Sequence, residues 1–245
     1  MLDLSHAIAI FAWANRLMLT PGEPVFPAPP SRLTAACLPI MVWSFNNSEN
    51  VMARPREFDE DAVLDAVMDT FWRYGYEATS AQDLVQATGL GRGSLYAAYT
   101  NKDGLFEQAM LRYNRRSHEN VDLLRGPGPV LDRLRTLLVG VIDDDLKAAG
   151  KRGCLATNTA IERASRDTHV AELVRENFRI MRAGIQEAIE RGQATGEIDA
   201  AGHPEDLAWF VFNAMQGLRV LAKTSVGKDR KRLVAIVDRT LRALG

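Results

Sequence analysis

The stretch TSAQDLVQATGLGRGSLYAAYTNKDGL, from Thr79 to Leu105, decides the fold, because helix starts and stops alternate along it. Ser80 is placed to cap a first short helix, whose positions Leu84, Val85 and Thr88 fall at helical spacing. Gly89 supplies the permissive backbone a tight turn needs, with Leu90 able to bury beneath it. A second short helix is expected from about Arg92 to Ala98, burying Leu95 and leaving Arg92, Ser94 and Tyr96 outside. Asn101 and Lys102-Asp103 then open a long third helix, through Phe106, Met110 and Tyr113 to about Leu124. Two short helices joined by so tight a turn form a helix-turn-helix, which lays its second helix in the major groove of DNA. Helical hairpins are also common in proteins that never touch DNA, so the side chains must decide.

Outward from this core the chain is helical. Asp59 can cap a helix to about Tyr74, with Val63, Leu64, Val67, Met68, Phe71 and Trp72 on or near one face and Gly75 as its stop. Gly126-Pro127-Gly128-Pro129 is the clearest break. Beyond it, helices are expected from Pro129, from Cys154 to about Ala164, from Thr168 to Arg191 with Gly192 and Gly196 closing it, from Pro204, and from Lys228. No strand pattern follows Met52, so the expected class is all-α. The last two helices carry more apolar surface than one small bundle can hide. Paired with the same helices of a second copy they would make a four-helix dimer interface, or else they finish a monomeric core. Gly217, mid-helix, costs about 1 kcal/mol relative to Ala unless it permits close helix approach.

Composition excludes several classes. Lys plus Arg number 30 and Asp plus Glu 31, for a net charge of −1, so no global field draws the chain to nucleic acid. Between Met52 and Arg116 eight cations face ten acids, which argues against a purely electrostatic DNA coat and leaves a specific reader open. Two cysteines, Cys37 and Cys154, offer no disulfide framework or metal spacing, and His6, His118, His169 and His203 are scattered. No nucleophile–base set or phosphate loop stands out, so neither catalytic residues nor a cofactor nor a metal is expected. A reduced, cytoplasmic protein without membrane attachment is the simplest expectation.

Residues 1–51 differ in character. Ala7 to Leu19 is apolar but too short to span a membrane, and the Ala12-Trp13-Ala14 triplet has no preceding cation to make it a signal sequence. PGEPVFPAPPSR cannot form a helix or a central strand, and CLPIMVWSFNNSEN is strand-like without a partner strand. The segment reads either as a dimer-wrapping arm or, preferably, as a poorly ordered extension ahead of Met52.

The string GLGRGSLYAAYTNKDGLF resembles the TetR-type transcriptional regulators, in which Gly-x-x-x-Gly-Ser/Thr-x-Tyr precedes a lysine-containing cap and a further helix. The resemblance covers about Arg56 to Met110; the remainder matches as a helical pattern. It implies a three-helix DNA-binding head over 52–102, a linking helix over 103–125 that transmits ligand occupancy, and a ligand-binding and dimerisation domain over 126–245. It further implies a homodimer on a double-stranded operator, released by an unknown small-molecule effector. Thr79 and Ser80 are candidates for phosphate contact at a helix N-terminus. Tyr96, Tyr99 and Lys102 match the family's phosphate-contacting tyrosine, its usual aromatic and its lysine, and Tyr99 is also suited to the core. Arg92 can read guanine or contact phosphate, Gly93 permits close approach beside Ser94, and Gly91 stands where many relatives carry a Ser or Thr cap. Arg54 and Arg56 can enter the minor groove as an arm or stay free of contact. A body pocket is expected from Leu138, Ile142, Phe178, Met181, Phe210 and Met215, residues that core packing explains equally well. Cys154, at a helix start beside Lys151 and Arg152, is either a thiol sensor, as in a TetR-type subgroup with Gly-Cys-Leu at this place, or a small packing residue. A weakly specific nucleic-acid-coating protein and an enzyme on a helical scaffold are the alternatives. A chain beginning at Met52 is expected to melt and bind DNA as the full chain does; a large fall in melting temperature would show that CLPIMVWSF packs on the body.

Overall fold

Asp59 accepts hydrogen bonds from the backbone N–H groups of Asp61 and Ala62 and so starts the first helix of the computed structural model. The structure describes residues 58–147 and 151–245, and the expectations for residues 1–51, Cys37, Arg54 and Arg56 lie outside them. Among the described residues the elements are all helical: α1 (Glu60–Tyr74), α2 (Ala81–Thr88), α3 (Arg92–Tyr99), α4 (Lys102–Arg125), α5 (Val130–Leu146), α6 (Leu155–Thr159), α7 (Thr168–Ala194), α8 (Pro204–Thr224) and α9 (Arg230–Arg242). The short α6 runs directly into a π turn, Ala160–Ala164.

Two boundaries differ from expectation, each for a local reason. Gly192 does not end α7, which continues to Ala194, because Ile198 folds back onto Gly192 and the Glu197 and Ile198 N–H groups bond its carbonyl at 2.8 and 3.1 Å. The last helix begins at Arg230 rather than Lys228, because Gly227–Asp229 forms a 3₁₀ turn held by the Asp229 carboxylate on the Val226 N–H. Pro129 has no side chain to cap α5. Glu197 does so from the α7–α8 loop, its two oxygens accepting the Val130 and Leu131 N–H groups at 2.8 and 2.7 Å.

Apolar side chains gather in two cores. Val67, Phe71, Leu84, Leu95, Phe106 and Met110 centre the first, under α1–α3. Leu134, Leu138, Ile142, Ile185, Val211 and Val237 centre the second, among α5, α7, α8 and α9. Helix α4 serves both, with Leu105, Phe106, Ala109, Met110 and Tyr113 in the first and Val121 and Leu124 in the second. The first core extends past the three-helix head, since Cys154, Leu155, Ala156, Val170 and Val174 also belong to it. Where the cores meet, the buried Asn177 amide of α7 donates to Asn114 Oδ1 at 2.8 Å and Ser117 Oγ at 2.9 Å on α4.

Helices α4 and α7 approach closely at Gly184, where an added Cβ would lie 2.5 Å from a Val121 methyl. Gly184→Ala is therefore expected to destabilise the fold by about 1–3 kcal/mol through overpacking. Gly140, exposed on α5 with nothing within 4 Å of its Cβ position, is the opposite case. Gly140→Ala should stabilise by about 0.8–1 kcal/mol through helix propensity alone. Denaturant melts of the two variants check both signs.

Candidate nucleic-acid interface

Local capping chemistry builds the reading unit. Ser80 and Asp83 form a reciprocal capping box at α2, and the hydrogen bonds from Ser80 hold the Asp83 carboxyl below its ordinary range. Gly89 ends α2 in the left-handed region at φ 70°, so the chain reverses at once. Leu84 and Leu95 anchor α2 and α3, both fully buried and each worth about 1.5–3 kcal/mol of transfer free energy. Gly104 lets α4 start directly beneath α3, because a Cβ there would fall on the Tyr99 carbonyl oxygen. The junction forces Thr100, a β-branched residue, to φ 68°.

The outer face of α3 presents Gly91, Arg92, Gly93, Ser94 and Ala97 to solvent, while Leu95 and Tyr99 point inward. It is a face of small residues with one guanidinium, shaped for close approach to a groove. Gly91 gives α3 no side-chain cap, so its first N–H groups stay available. The Arg92 guanidinium lies 5.6 Å from the Tyr96 ring centroid, and Tyr96 is half-buried. Tyr99 is buried with its hydroxyl 3.4 Å from Glu60 Oε1, which places it under the helix rather than on it. Ser80 is exposed, but its hydroxyl already donates to Asp83. Thr79 departs further from expectation. It is buried and its hydroxyl donates to the Gly75 carbonyl at 2.6 Å, so it offers no side-chain contact to phosphate. Lys102 Nζ stands 4.2 Å from the Tyr76 ring centroid at the N-terminus of α4.

Four of the acids counted in the head are paired with arginines of α4 and of the body. Arg112 on α4 pairs with Asp61 and with both oxygens of Asp65, and its guanidinium keeps the Asp65 carboxyl below the ordinary range. Asp69 pairs with Arg152, and Asp103 with Arg163.

In the body, a cavity of about 290 Å³ opens between α4 and α5. Trp72, Tyr113, Ser117, Leu137, Val141 and Arg219 are among its walls. A recess of about 20 Å³, sharing several of these walls, reaches Cys154, Met181 and Met215. Of the expected pocket residues, Cys154, Met181 and Met215 come together there. Leu138 and Ile142 are fully buried in the second core; their neighbours Leu137 and Val141, one helix step round, face the space instead. Phe178 packs edge-on against Phe212, 5.3 Å between centroids. Phe210 is a correction: it is 44 % exposed on the outside of α8, because Val211 and Phe212 take the inward directions.

Cys154 is buried before α6, and the Tyr113 hydroxyl lies 3.5 Å from its Sγ. Burial pushes the Tyr113 hydroxyl far above its ordinary range. Arg152, expected beside the thiol, is turned onto Trp72 at 4.1 Å and paired with Asp69. The cation lining the recess is Arg219 of α8, largely but not fully buried, with Nη1 on the Gly153 carbonyl at 2.8 Å and 3.7 Å from Asp145. That same carbonyl accepts the Trp72 indole N–H at 3.0 Å. Burial pushes the Asp145 carboxyl up. Trp72, Asn177 and Arg219 carry no local sequence signal for these roles, since each acts on a partner about 60 or more residues away.

Comparison with known proteins gives a consistent answer. Residues 63–109 match the family model described as "Bacterial regulatory proteins, tetR family", and residues 130–240 match "Tetracyclin repressor-like, C-terminal domain". The chain is 32 % identical over 192 residues to the HTH-type transcriptional repressor ComR of Escherichia coli (strain K12), covering 77 % of this chain and 90 % of ComR. It is 30 % identical over 186 residues to the HTH-type transcriptional regulator YezE of Bacillus subtilis (strain 168), covering 73 % and 93 %. Among solved structures, a cysteine-substituted CifR bound to 26-base-pair operator DNA superposes with a TM-score of 0.69 at 33 % identity, over 78 % of this chain and all of that one.

Arg92→Ala should weaken specific DNA binding by about 1–3 kcal/mol and relax preference at one base position per half-site. Lys102→Ala should weaken binding to every duplex alike and flatten the salt slope by about one unit. Titrations at several salt concentrations separate these outcomes, and a base-preference change with Lys102→Ala alone would reverse the two assignments.

Proposed function

The chain belongs to the TetR family of transcriptional regulators, and on that premise we propose that it is a homodimeric, cytoplasmic repressor released from a two-fold operator by a small molecule in the body cavity. It is a DNA-binding regulator rather than an enzyme. The observation that carries the proposal is the exposed face of α3, small apart from Arg92, standing on fully buried Leu95. Arg92 and Ser94 then meet base edges, while Tyr96, Lys102 and the uncapped N–H groups at the start of α3 meet phosphates. Arg54 and Arg56 are assigned the minor-groove contacts on the family resemblance alone. The family units run 52–102, 103–125 and 126–245.

Pairing of two copies is supported by the outer surface of α8 and α9. Phe210, Val220 and Leu221 of α8 and Ile236 of α9 are exposed, and Gly217 lies among them with nothing within 4 Å of its Cβ position. A helix of a second copy can approach closely there, and burying this surface rewards association. For the effector, the cavity beside Tyr113 and Arg219 supports a reversibly bound ligand; Cys154, buried at its inner end, is read as a packing residue. No helix among the described residues is long and apolar enough to cross a membrane.

Gly217→Leu tests the pairing, because a Cβ at this exposed position meets nothing within 4 Å in its own chain. It should leave the far-ultraviolet spectrum unchanged, split or distort the dimer in sedimentation, and lower affinity steeply for a duplex selected by the wild-type protein. An intact dimer with unchanged affinity would place Gly217 outside the interface.

A further inference from the structure

One short segment of the body is fastened to the head at both of its ends. At its start, Arg152 pairs with Asp69 of α1, and the Gly153 carbonyl accepts the Trp72 indole of α1 at 3.0 Å. At its far end, in the π turn after α6, Glu162 holds two consecutive backbone groups of the head. Its Oε2 accepts the Tyr76 N–H at 2.9 Å, and its Oε1 the Glu77 N–H at 2.8 Å. These N–H groups lie in the turn that leads from α1 into α2. Gly75 leaves the room, since a Cβ there would meet both Glu162 oxygens at 3.0 Å.

Arg163, the next residue, lies 3.7 Å from the Tyr76 ring centroid and pairs with Asp103, whose carboxylate also accepts the Tyr76 hydroxyl at 2.7 Å. Asp103 and Lys102 begin α4, and Lys102 shares the Tyr76 ring. The contacts therefore converge on Tyr76, whose hydroxyl is pushed up to about 12 by burial and by Asp103, so it remains a neutral donor. Between the two fastenings runs Cys154, at the inner recess of the body cavity.

We infer that the segment Arg152–Asp167 is a strap that sets the orientation of the DNA-reading head on the body, and that Glu162 is its principal positioning residue. Charge and geometry support the assignment. A carboxylate on two backbone N–H groups is a charge-assisted, bidentate contact, which fixes direction as well as distance. The strap, like α4, touches both the cavity recess and the α1–α2 turn, so displacement of Gly153 or Cys154 has a route to the head that does not pass along α4. Glu162 contacts no DNA in this assignment; it acts through the turn that carries α2 and α3.

The inference rests on the reading that two heads bind one two-fold operator, and the experiment separates the two. A duplex is selected from a random pool by the wild-type full chain, and a second is made with one base pair inserted at its centre. The insertion moves the half-sites apart by about 3.4 Å and turns them by about a tenth of a helical turn. Wild type should lose about tenfold or more in affinity on the insertion, a coupling of the ordinary allosteric size. Glu162→Ala should cut that penalty to within about threefold, because a loosened head adapts to either spacing, and Glu162→Gln, with one acceptor oxygen left, should fall between. Hydrogen exchange at the Tyr76 and Glu77 amides should speed up in the same order. Arg125→Gln, which breaks the pair with Glu187 at the opposite end of α4, is the control and should keep the wild-type penalty. If Glu162→Ala proves unfolded, Glu162→Gln and Arg163→Gln carry the comparison. Equal weakening on both duplexes, with the penalty unchanged, would overturn the strap and leave Glu162 an ordinary stabilising contact. No penalty in the wild type would overturn the two-head reading itself, and the strap with it.

Discussion

A single helix has to satisfy two hydrophobic cores, and this constraint organises the molecule. Helix α4 is 24 residues long, about 36 Å. Its first half buries Leu105, Phe106 and Met110 beneath the head, and its last turns bury Val121 and Leu124 in the body. Tilting α4 on the body therefore carries the recognition helix with it, because Gly104 leaves no gap between α3 and α4 that could absorb a rotation. The exchange of apolar for polar partners at Asn114 and Ser117 marks where one core gives way to the other. A wholly apolar α4 would have fused the two cores into one.

The head was almost entirely legible in the sequence, because its determinants are local. Caps at Asp59 and Ser80, the left-handed Gly89 and the Asn101 start each act within three or four residues. Thr79 departs from the expected phosphate contact for a reason equally local: its hydroxyl donates back four residues to the Gly75 carbonyl, a bond invisible in a pattern of residue types. The body was legible as helices but not as a cavity. Successive residues on a helix point about 100° apart, so of Phe210, Val211 and Phe212 at least one must face out, and only the neighbouring helices determine which. The same rotation by one residue separates Leu138 and Ile142 from Leu137 and Val141. Glu162, Trp72 and Arg219 were out of reach altogether, since each matters through one or two polar contacts about 65 to 85 residues away.

Charge counts mislead for the same reason. A head with more acids than bases looks repelled by DNA, yet Asp61, Asp65, Asp69 and Asp103 are paired with arginines. Two of those cations come from outside the Met52–Arg116 stretch: Arg152 from the start of the strap and Arg163 from the π turn. The body thus supplies counterions that the head's own composition lacks. Among the described residues, Arg92 is exposed on α3 and Lys102 stands half-buried at the start of α4, and the potential at the groove depends on such local groups rather than on the sum.

The buried Asn177 amide also limits how the body can move. A helix packed on apolar residues alone can ratchet along its neighbour by one turn, about 5.4 Å, and find equivalent contacts. Here such a slide would bring Val174 or Met181 opposite Asn114 and Ser117. The amide would enter an apolar core without partners, at a cost of about 1–3 kcal/mol. The register of α7 on α4 is thereby pinned at a single tooth. Rocking about that pin remains open, translation does not, and a hinge between the two cores is what the arrangement leaves.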